Sequence, residues 1–313
     1  MELSVVIPIL NEADALGELY RSIHTHLQSS SYEFEIIFVD DGSSDKSLEI
    51  LKDISIKDGR VRIISLSRNF GQTSALSAGI RGAAGEWIAT LDGDMQNDPA
   101  DILPLLEECK NGYDIVSGWR KNREDSFLRV FVSKMANRLA SRITGLPLHD
   151  YGCSMKVYRK SVLQRMQLYG EMHRFLPIYA SLKGAKVTER VVSHHPRTRG
   201  SSKYGYQRIL RVLLDMLMFA FLFHSKSPLK AFSQVSGFIL ALSILLIIPG
   251  FFYGSAPLLF SGGILFTISG YLILFALILE LIIRTHYLSQ QETQYSIQEL
   301  VNFESHPDFV RVD

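Results

Sequence analysis

Short β-branched runs alternating with longer amphipathic stretches predict an α/β fold, a mostly parallel, Rossmann-like sheet with helices on both faces. Two further observations extend this prediction. Acidic, polar clusters close the first, second and fourth apolar runs, and from Ala231 to Leu279 no Asp, Glu, Lys or Arg occurs over 49 residues. The clusters place function at the carboxyl ends of strands, where open sheets of this type bind ligands. The uncharged span predicts a pair of membrane-crossing helices after the α/β domain, since a bilayer core of about 30 Å needs roughly 20 apolar residues per helix.

The first strand reads "LSVVIPI" and runs into "PILNEAD"; a helix from about Ala13 to Gln28 follows. The second strand, "FEIIFVDD", opens onto "DDGSSD" and a helix from Ser44 to Ile56, and "VRIISLS" is the third. A helical segment from about Thr73 to Ala83 carries "SAGIRGAAG", whose small residues let it pack closely on the sheet. The fourth strand, "EWIATLD", ends in "DGDMQND". Asp98 beside Pro99 then caps a helix reaching Lys110, and "YDIVSGW" is the fifth strand. Three acidic strand ends in one sheet converge on one crevice, and their mutual repulsion calls for a cation or for ligand hydrogen-bond donors.

With 33 basic and 32 acidic residues the chain carries no global field to recruit nucleic acid. It has no G-x-x-x-x-G-K-[ST], and no G-x-G-x-x-G follows the first strand, so P-loop and dinucleotide readings lose their support. Cys109 and Cys153 suit a reducing compartment and supply neither a disulfide nor a metal framework. His194 and His195 are adjacent, so on a strand they face opposite ways and do not form a metal pair. "MELSVVIPIL" lacks a basic region before its apolar run and is not expected to be a signal peptide.

The spans are placed at Phe232 to Phe252 and Ser261 to Ile283. Lys226, Lys230 and Arg284 flank them, while the connection "YGSAPLLF" is uncharged, so both ends are expected on the cytoplasmic side of the inner membrane. The expected division is an α/β domain over 1–203, interfacial amphipathic helices over 204–230, the two spans over 231–284 and a cytoplasmic tail over 285–313. "YGYQRILRVLLDMLMFAFLFH" sets Arg208, Arg211 and Asp215 against a wide apolar face, as a helix lying in the interface does. Glu280 beside Arg284 reads as a helix-end ion pair.

The stretches "SVVIPILNE", "VDDGSSDKS", "LSRNFGQTSALSAGI", "TLDGDMQNDP", "DYGCSMKVYRK" and "RGSSKY", in this order and spacing, resemble GT-A glycosyltransferases of family 2. Within them the chain is similar to the polyisoprenyl-phosphate glycosyltransferases with a C-terminal transmembrane pair, and the undecaprenyl-phosphate aminoarabinose transferases share a similar "DYGC" stretch. The resemblance covers nearly the whole length. It implies a GT-A domain and an inverting transfer, by direct displacement at the anomeric carbon, from a nucleotide-diphosphate sugar to a polyprenyl phosphate. A UDP-sugar is favoured through the aminoarabinose-transferase likeness. A homo-oligomer is also expected.

The chemistry can be argued beside the resemblance. A departing nucleoside diphosphate builds charge on its β-phosphate, which a divalent cation offsets as a Lewis acid. Mg²⁺ or Mn²⁺ takes oxygen ligands and keeps waters, so one or two carboxylates suffice. Asp92 and Asp94, two apart on a strand leaving the sheet, point into one crevice and supply them. The resemblance implies that Asp40 and Asp41 reach the base and ribose, with Pro8 and Glu12 flanking the pocket. Arg68 is a candidate pyrophosphate or nucleotide contact, or else a plain surface arginine.

A phosphate monoester with a second pKa of about 6 is already largely dianionic at neutral pH, so a strong base is not required. Relatives with a "TGDF" stretch place a carboxylate where this chain has Cys153, so the expectation shifts to Asp150 as base or acceptor-orienting group. Cys153 reads as a small packed residue. Arg197, Arg199 and Lys203, in a Gly/Ser-rich loop, are candidate donors to the acceptor phosphate, and Arg208 is a further one. Attraction to anionic lipid headgroups would produce the same composition, and both readings stay open. A processive polysaccharide synthase of the same fold would want a Q-x-x-R-W-type stretch and more spans, and neither is present. A membrane-anchored nucleotide-sugar sensor would differ by lacking turnover.

Overall fold

The computed structural model describes residues 1–121, 137–138, 141–142, 144–164, 166, 168, 172–196, 228–288 and 295–303. The chain divides into two compact units, Met1–Tyr204 with Thr293–Asp313, and Gly205–Glu292.

The first unit is built on β1 (Leu3–Ile9), β2 (Phe34–Asp40), β3 (Val61–Leu66), β4 (Trp87–Thr90), β5 (Ile115–Trp119), β6 (Lys156–Arg159), β7 (Val187–Val191) and β8 (Ile297–Val301). They form one sheet in the order β7-β5-β6-β4-β1-β2-β3-β8. Neighbours from β4 to β3 run parallel, as the alternation predicts. β6 is wedged antiparallel between β4 and β5, and β8 closes the other edge antiparallel to β3. β1 and β2 are almost wholly buried because helices cover both faces.

On one face α1 (Ala13–Gln28) turns Leu16, Leu19, Ile23 and Leu27 onto Val5, Ile7, Phe38 and Ala89, at the helical spacing that lines one side. α2 (Ser47–Lys57) and α4 (Ile102–Lys110) complete that layer through Leu51, Leu105 and Leu106. On the other face lies α3 (Gln72–Gly82), with α5 (Leu176–Leu182) adding Leu176 and Ala180 to the same cluster. α3 packs closely, as its small residues predict: a Cβ on Gly79 would lie 2.3 Å from Val6 Cγ1.

Two helix starts differ from the sequence expectation. α2 begins at Ser47 rather than Ser44: the backbone N–H groups of Ser44 and Asp45 are held by the Asn11 side chain in the preceding loop, and Asp45 Oδ1 accepts from Ser47 N at 2.9 Å where the helix opens. The helix after Asp98 opens with a 3₁₀ turn, Pro99–Asp101, whose cap is the expected one: Asp98 Oδ1 accepts from Ala100 N at 3.0 Å.

In the second unit α6 (Pro228–Phe252) and α7 (Ala256–Leu288) are joined by three residues. Windows within them, Phe232–Phe252 and Ala256–Leu279, are long and apolar enough to cross a membrane, with mean hydropathies of 2.4 and 2.2. The second begins at Ala256 rather than Ser261, since Pro257 suits the first turn of a helix. Small polar residues hold the pair together: Ser236 Oγ meets Ser269 Oγ at 2.8 Å, and Ser243 Oγ donates to Gly262 O at 2.8 Å. Outward-facing Phe238, Leu245, Phe251 and Phe260 are exposed.

Candidate active site

The loops after β1, β2, β3 and β4 meet at the carboxyl edge of the sheet, held by side chains that bond across them. After β1, Asn11 takes φ +55°, and its Oδ1 accepts the N–H groups of Ser44 at 2.8 Å and Asp45 at 3.3 Å. That ties the first loop to the second. Asp41, just past β2, accepts from Phe70 N at 2.7 Å and Gly71 N at 2.9 Å, tying the second loop to the third. Gly42 has φ +71°, and a Cβ there would lie 2.5 Å from the Arg68 carbonyl carbon, so only glycine permits this approach. Asp92, after β4, accepts from Gln72 Nε2 at 2.7 Å, joining the fourth loop to the start of α3.

This arrangement sets Pro8, Glu12, Asp40, Asp41 and Asp92 along one edge of the sheet. Pro8 and Glu12 border the fourth loop: a Cβ on Gly93 would meet Ile9 Cδ1 at 2.5 Å, Pro8 O at 3.6 Å and Glu12 Cγ at 3.8 Å. Asp40 is buried, with Ser43 N at 3.2 Å and Ser65 Oγ at 3.4 Å. Burial pushes the Asp41 carboxyl above its ordinary range, against the two backbone N–H groups and with the help of Asp40's charge. Arg68 lies with its guanidinium 4.1 Å from the Phe70 ring centre, on the rim of the third loop. β4 ends at Thr90, so Asp92 and Asp94 do not share a strand face as expected; Asp94 lies in a turn closed by a reversal at Met95, whose φ is +61°, and its Oδ1 accepts from Gln96 N at 3.2 Å. Among the described residues only Asn11, Met95 and Asn302 of the non-glycines take positive φ, and two of these three shape the site.

The described residues contain no group of three or more His, Cys, Asp or Glu arranged as a metal cage. A hard divalent cation that also takes phosphate oxygens and water does not need one. Asp92 and Asp94 supply carboxylates, and Gln72 orients Asp92 as a second-layer partner of a metal ligand does. The residues present therefore fit such an ion.

Asp150 stands opposite a residue the sequence reading did not single out. Arg120, which follows β5, donates from Nε to Asp150 Oδ2 at 2.7 Å and from Nη2 to Oδ1 at 3.0 Å, and the backbone N–H groups of Gly152 at 3.1 Å and of Arg120 itself at 3.4 Å also donate to that carboxylate. Asp150 is buried and Arg120 largely so, 4% and 13% exposed, so this is a mostly shielded fork-to-fork pair. Burial opposes the guanidinium's charge, but Asp150, and Asp92 further off, hold it more firmly than an ordinary arginine. Cys153 is fully buried and burial raises its thiol pKa, which suits packing rather than nucleophilic attack. Lys156 Nζ, also buried and with its pKa lowered by that burial, donates to Cys153 O.

Two histidine observations complete the walls. His173 is kept neutral well below its ordinary pKa by burial, then by Arg174 and Lys156, and its Nδ1 meets Thr73 Oγ1 at 2.6 Å beside Gln72. His194 bridges Asn97, His195 N donates to Gln96 O at 2.9 Å, and His195 Nε2 lies 3.3 Å from Asp98. The segment before residue 197 is thus fastened to the loop that follows Asp94. Arg197, Arg199, Lys203 and Arg208, with Arg211 and Asp215, lie outside the described residues.

A GT-A sheet with acidic loops gathered at its carboxyl edge defines a sugar transferase. The sequence matches Glycosyl transferase family 2 over residues 4–167, and the chain belongs to that family. It is 40% identical to a dodecaprenyl-phosphate galacturonate synthase of Rhizobium johnstonii over 97% of this chain and 94% of the relative. It is 39% identical to an undecaprenyl-phosphate 4-deoxy-4-formamido-L-arabinose transferase of Edwardsiella ictaluri, over 76% of this chain and 72% of that one. Among solved structures, glucosyl-3-phosphoglycerate synthase from Mycobacterium tuberculosis with Mn²⁺ and UDP-glucose superposes with a TM-score of 0.52 at 18% identity, covering 70% of this chain and 78% of that one. That likeness establishes the GT-A fold.

Proposed function

We propose that the chain transfers a sugar from a nucleoside-diphosphate donor, a UDP-sugar, to a polyprenyl phosphate at the cytoplasmic face of the inner membrane. What supports this reading is the tying of the Asp41 and Asp92 loops to the start of α3 at one sheet edge, with Asp40 and Asp94 adjacent in sequence, in a chain that also has two helices of membrane-crossing length. The relatives' names supply the acceptor class, since both act on polyprenyl phosphates.

Asp40, Asp41, Pro8 and Glu12 line the nucleoside side. Asp41 has one backbone N–H on each oxygen, and a carboxylate has roughly four lone-pair sites, so each oxygen can take a further bond from the ligand. Asp92 and Asp94 would hold Mg²⁺ or Mn²⁺, which when bound offsets charge on the departing diphosphate. Arg120 uses two of its five side-chain N–H donors on Asp150, and the rest have no protein partner among the described residues. They face the acceptor phosphate, with Asp150 fixing the plane of the fork. Asp150 is therefore an orienting group rather than a proton acceptor. The phosphate oxygen attacks the anomeric carbon in one displacement and inverts it. Arg197, Arg199, Lys203 and Arg208 add charge to the acceptor side.

The chain leaves the sheet before α6 and returns to it at β8 after α7, which supports a two-span hairpin with both flanks on one side. Lys226, Lys230 and Arg284 favour the cytoplasm for that side. The test is transfer by the purified protein from UDP-, GDP- and CMP-sugars to polyprenyl phosphate in vesicles, with Mn²⁺ or with chelator. Metal-dependent turnover with a UDP-sugar is expected. Turnover without metal, or with only a GDP- or CMP-sugar, overturns the corresponding part.

A further inference from the structure

Asp150 lies in an irregular stretch, yet its carboxylate must be held closely to set the Arg120 fork. The structure contains a device for this one residue away. His149 N donates to Glu189 Oε2 at 2.7 Å, and the His149 ring nitrogen Nδ1 bonds Glu189 Oε1. Glu189 sits mid-strand in β7, paired in register with Ser117 of β5, and its side chain is 13% exposed. The same imidazole lies flat on Trp119, with ring centres 4.2 Å apart and planes 14° from parallel. Trp119 and Arg120 are consecutive, as are His149 and Asp150. A stacked ring pair and a buried ion pair therefore zip two dipeptides together, and Glu189 anchors the zipper to the sheet.

Each contact removes a different freedom. Glu189 gripping both the backbone N–H and the ring fixes the position and rotation of residue 149, and the stack fixes its height over β5. Nδ1 must carry the ring proton to donate to the carboxylate. Among the described residues Glu189 has no lysine or arginine within ion-pair distance, while its neighbour Arg190 pairs with Glu108 instead. A largely buried carboxylate committed to one loop residue is an expensive way to cover an edge strand, and it makes sense if the loop's position matters.

We propose that Glu189 and His149 are positioning residues that act through Asp150 to aim Arg120 at the acceptor phosphate. This rests on the reading that Arg120 faces that phosphate. Misplacing a binding group by about 1 Å can cost up to about a hundred-fold in rate. Glu189→Ala is accordingly expected to raise the acceptor KM or lower kcat by about ten- to a hundred-fold, with donor KM and metal activation unchanged. Glu189→Gln, whose amide oxygen still accepts from His149 N, should recover most of the loss, and His149→Phe, which keeps a ring on Trp119, part of it.

The experiment measures steady-state kinetics of the full-length protein with polyprenyl phosphate in vesicles, for these variants, Arg120→Lys and the Glu189→Ala/Arg120→Lys pair. Thermal unfolding confirms that each is folded. Strong non-additivity in the pair supports the proposal, because Glu189 would act through Arg120. Acceptor kinetics unchanged in Glu189→Ala but impaired in Arg120→Lys overturn the proposal and leave the acceptor reading standing. Unchanged acceptor kinetics in Arg120→Lys overturn that reading, and the proposal with it. Equal losses in Glu189→Ala and Glu189→Gln, with donor KM also raised, would mean that Glu189 serves the sheet alone.

Discussion

Gln72 and Asp92 are separated by 20 residues, and their 2.7 Å contact shows how the site depends on partners that no local pattern reveals. Asp92 and Asp94 stand out in sequence because two carboxylates follow an apolar run. Gln72 opens a helix as any polar residue can, and only the packing of α3 on β1 carries it to the fourth loop. As an outer partner of a metal ligand, Gln72→Ala should weaken the apparent metal affinity about 10- to 100-fold and leave kcat at saturating Mn²⁺ much nearer normal, which a metal titration of activity will test. Asp92→Asn or Asp94→Asn instead removes charge that no metal concentration restores, so turnover should fall by at least roughly a hundred-fold with thermal stability kept. Asp150 behaves differently because it is half of a buried pair. Asp150→Ala strands the Arg120 charge and should cost about 3–5 kcal/mol in unfolding, whereas Cys153→Ala leaves only a small cavity costing about 1 kcal/mol and remains active.

At the scale of elements, β1 to β5 and their helices follow from alternating β-branched runs and amphipathic periods, because the parallel core is buried on both faces. The remaining strands were not legible for physical reasons. β6 is four residues long and follows a polar loop, so it has no period to read. β7, "VTERV", is an edge strand, half exposed and charged. β8, "IQELV", lies beyond the apolar spans, and its partner β3 is more than 200 residues earlier. The stretch expected as a tail thus contains the strand that covers an open edge of the sheet, protecting β3 from pairing with other chains. Its hold is uneven. Tyr295 is buried in the α3-side core, and Asn302 Nδ2 donates to Ser55 O at 3.1 Å and Val61 O at 2.9 Å. Glu299 meets Lys52 at 2.7 Å with both side chains about two-fifths exposed. Tyr295→Ala should therefore cost about 3 kcal/mol, Asn302→Ala about 2 kcal/mol and Glu299→Ala less than about 1 kcal/mol. Both tryptophans, Trp87 and Trp119, lie in this sheet, so their fluorescence during denaturation reports the order.

For the whole molecule, the return of the chain to β3 changes how the membrane segment can be removed. Ending the protein before α6 would discard β8 along with the spans, unmask the β3 edge and take Tyr295 out of the core, so a loss of activity there would say little about membranes. Replacing residues 205–292 by a flexible Gly/Ser linker keeps all eight strands and the loops after β1 to β4, and removes Arg208 together with the spans. Such a variant should fold, show the same tryptophan unfolding as the full-length protein, and bind the nucleotide-sugar with metal at near-normal affinity. A polyprenyl chain is too apolar to be presented from water, and confinement of enzyme and lipid to one surface supplies most of the acceptor's effective concentration. Transfer to long-chain lipid phosphate in vesicles should therefore drop by about a hundred-fold or more, within the range over which effective concentration changes avidity. A short, water-soluble prenyl phosphate at high concentration should recover most of the variant's activity, with a remaining deficit in acceptor KM that reports the loss of Arg208. Equal rates on vesicle-borne lipid would reduce the two helices to an anchor without a part in acceptor delivery, while failure to bind donor in a folded variant would place part of the donor site within residues 205–292.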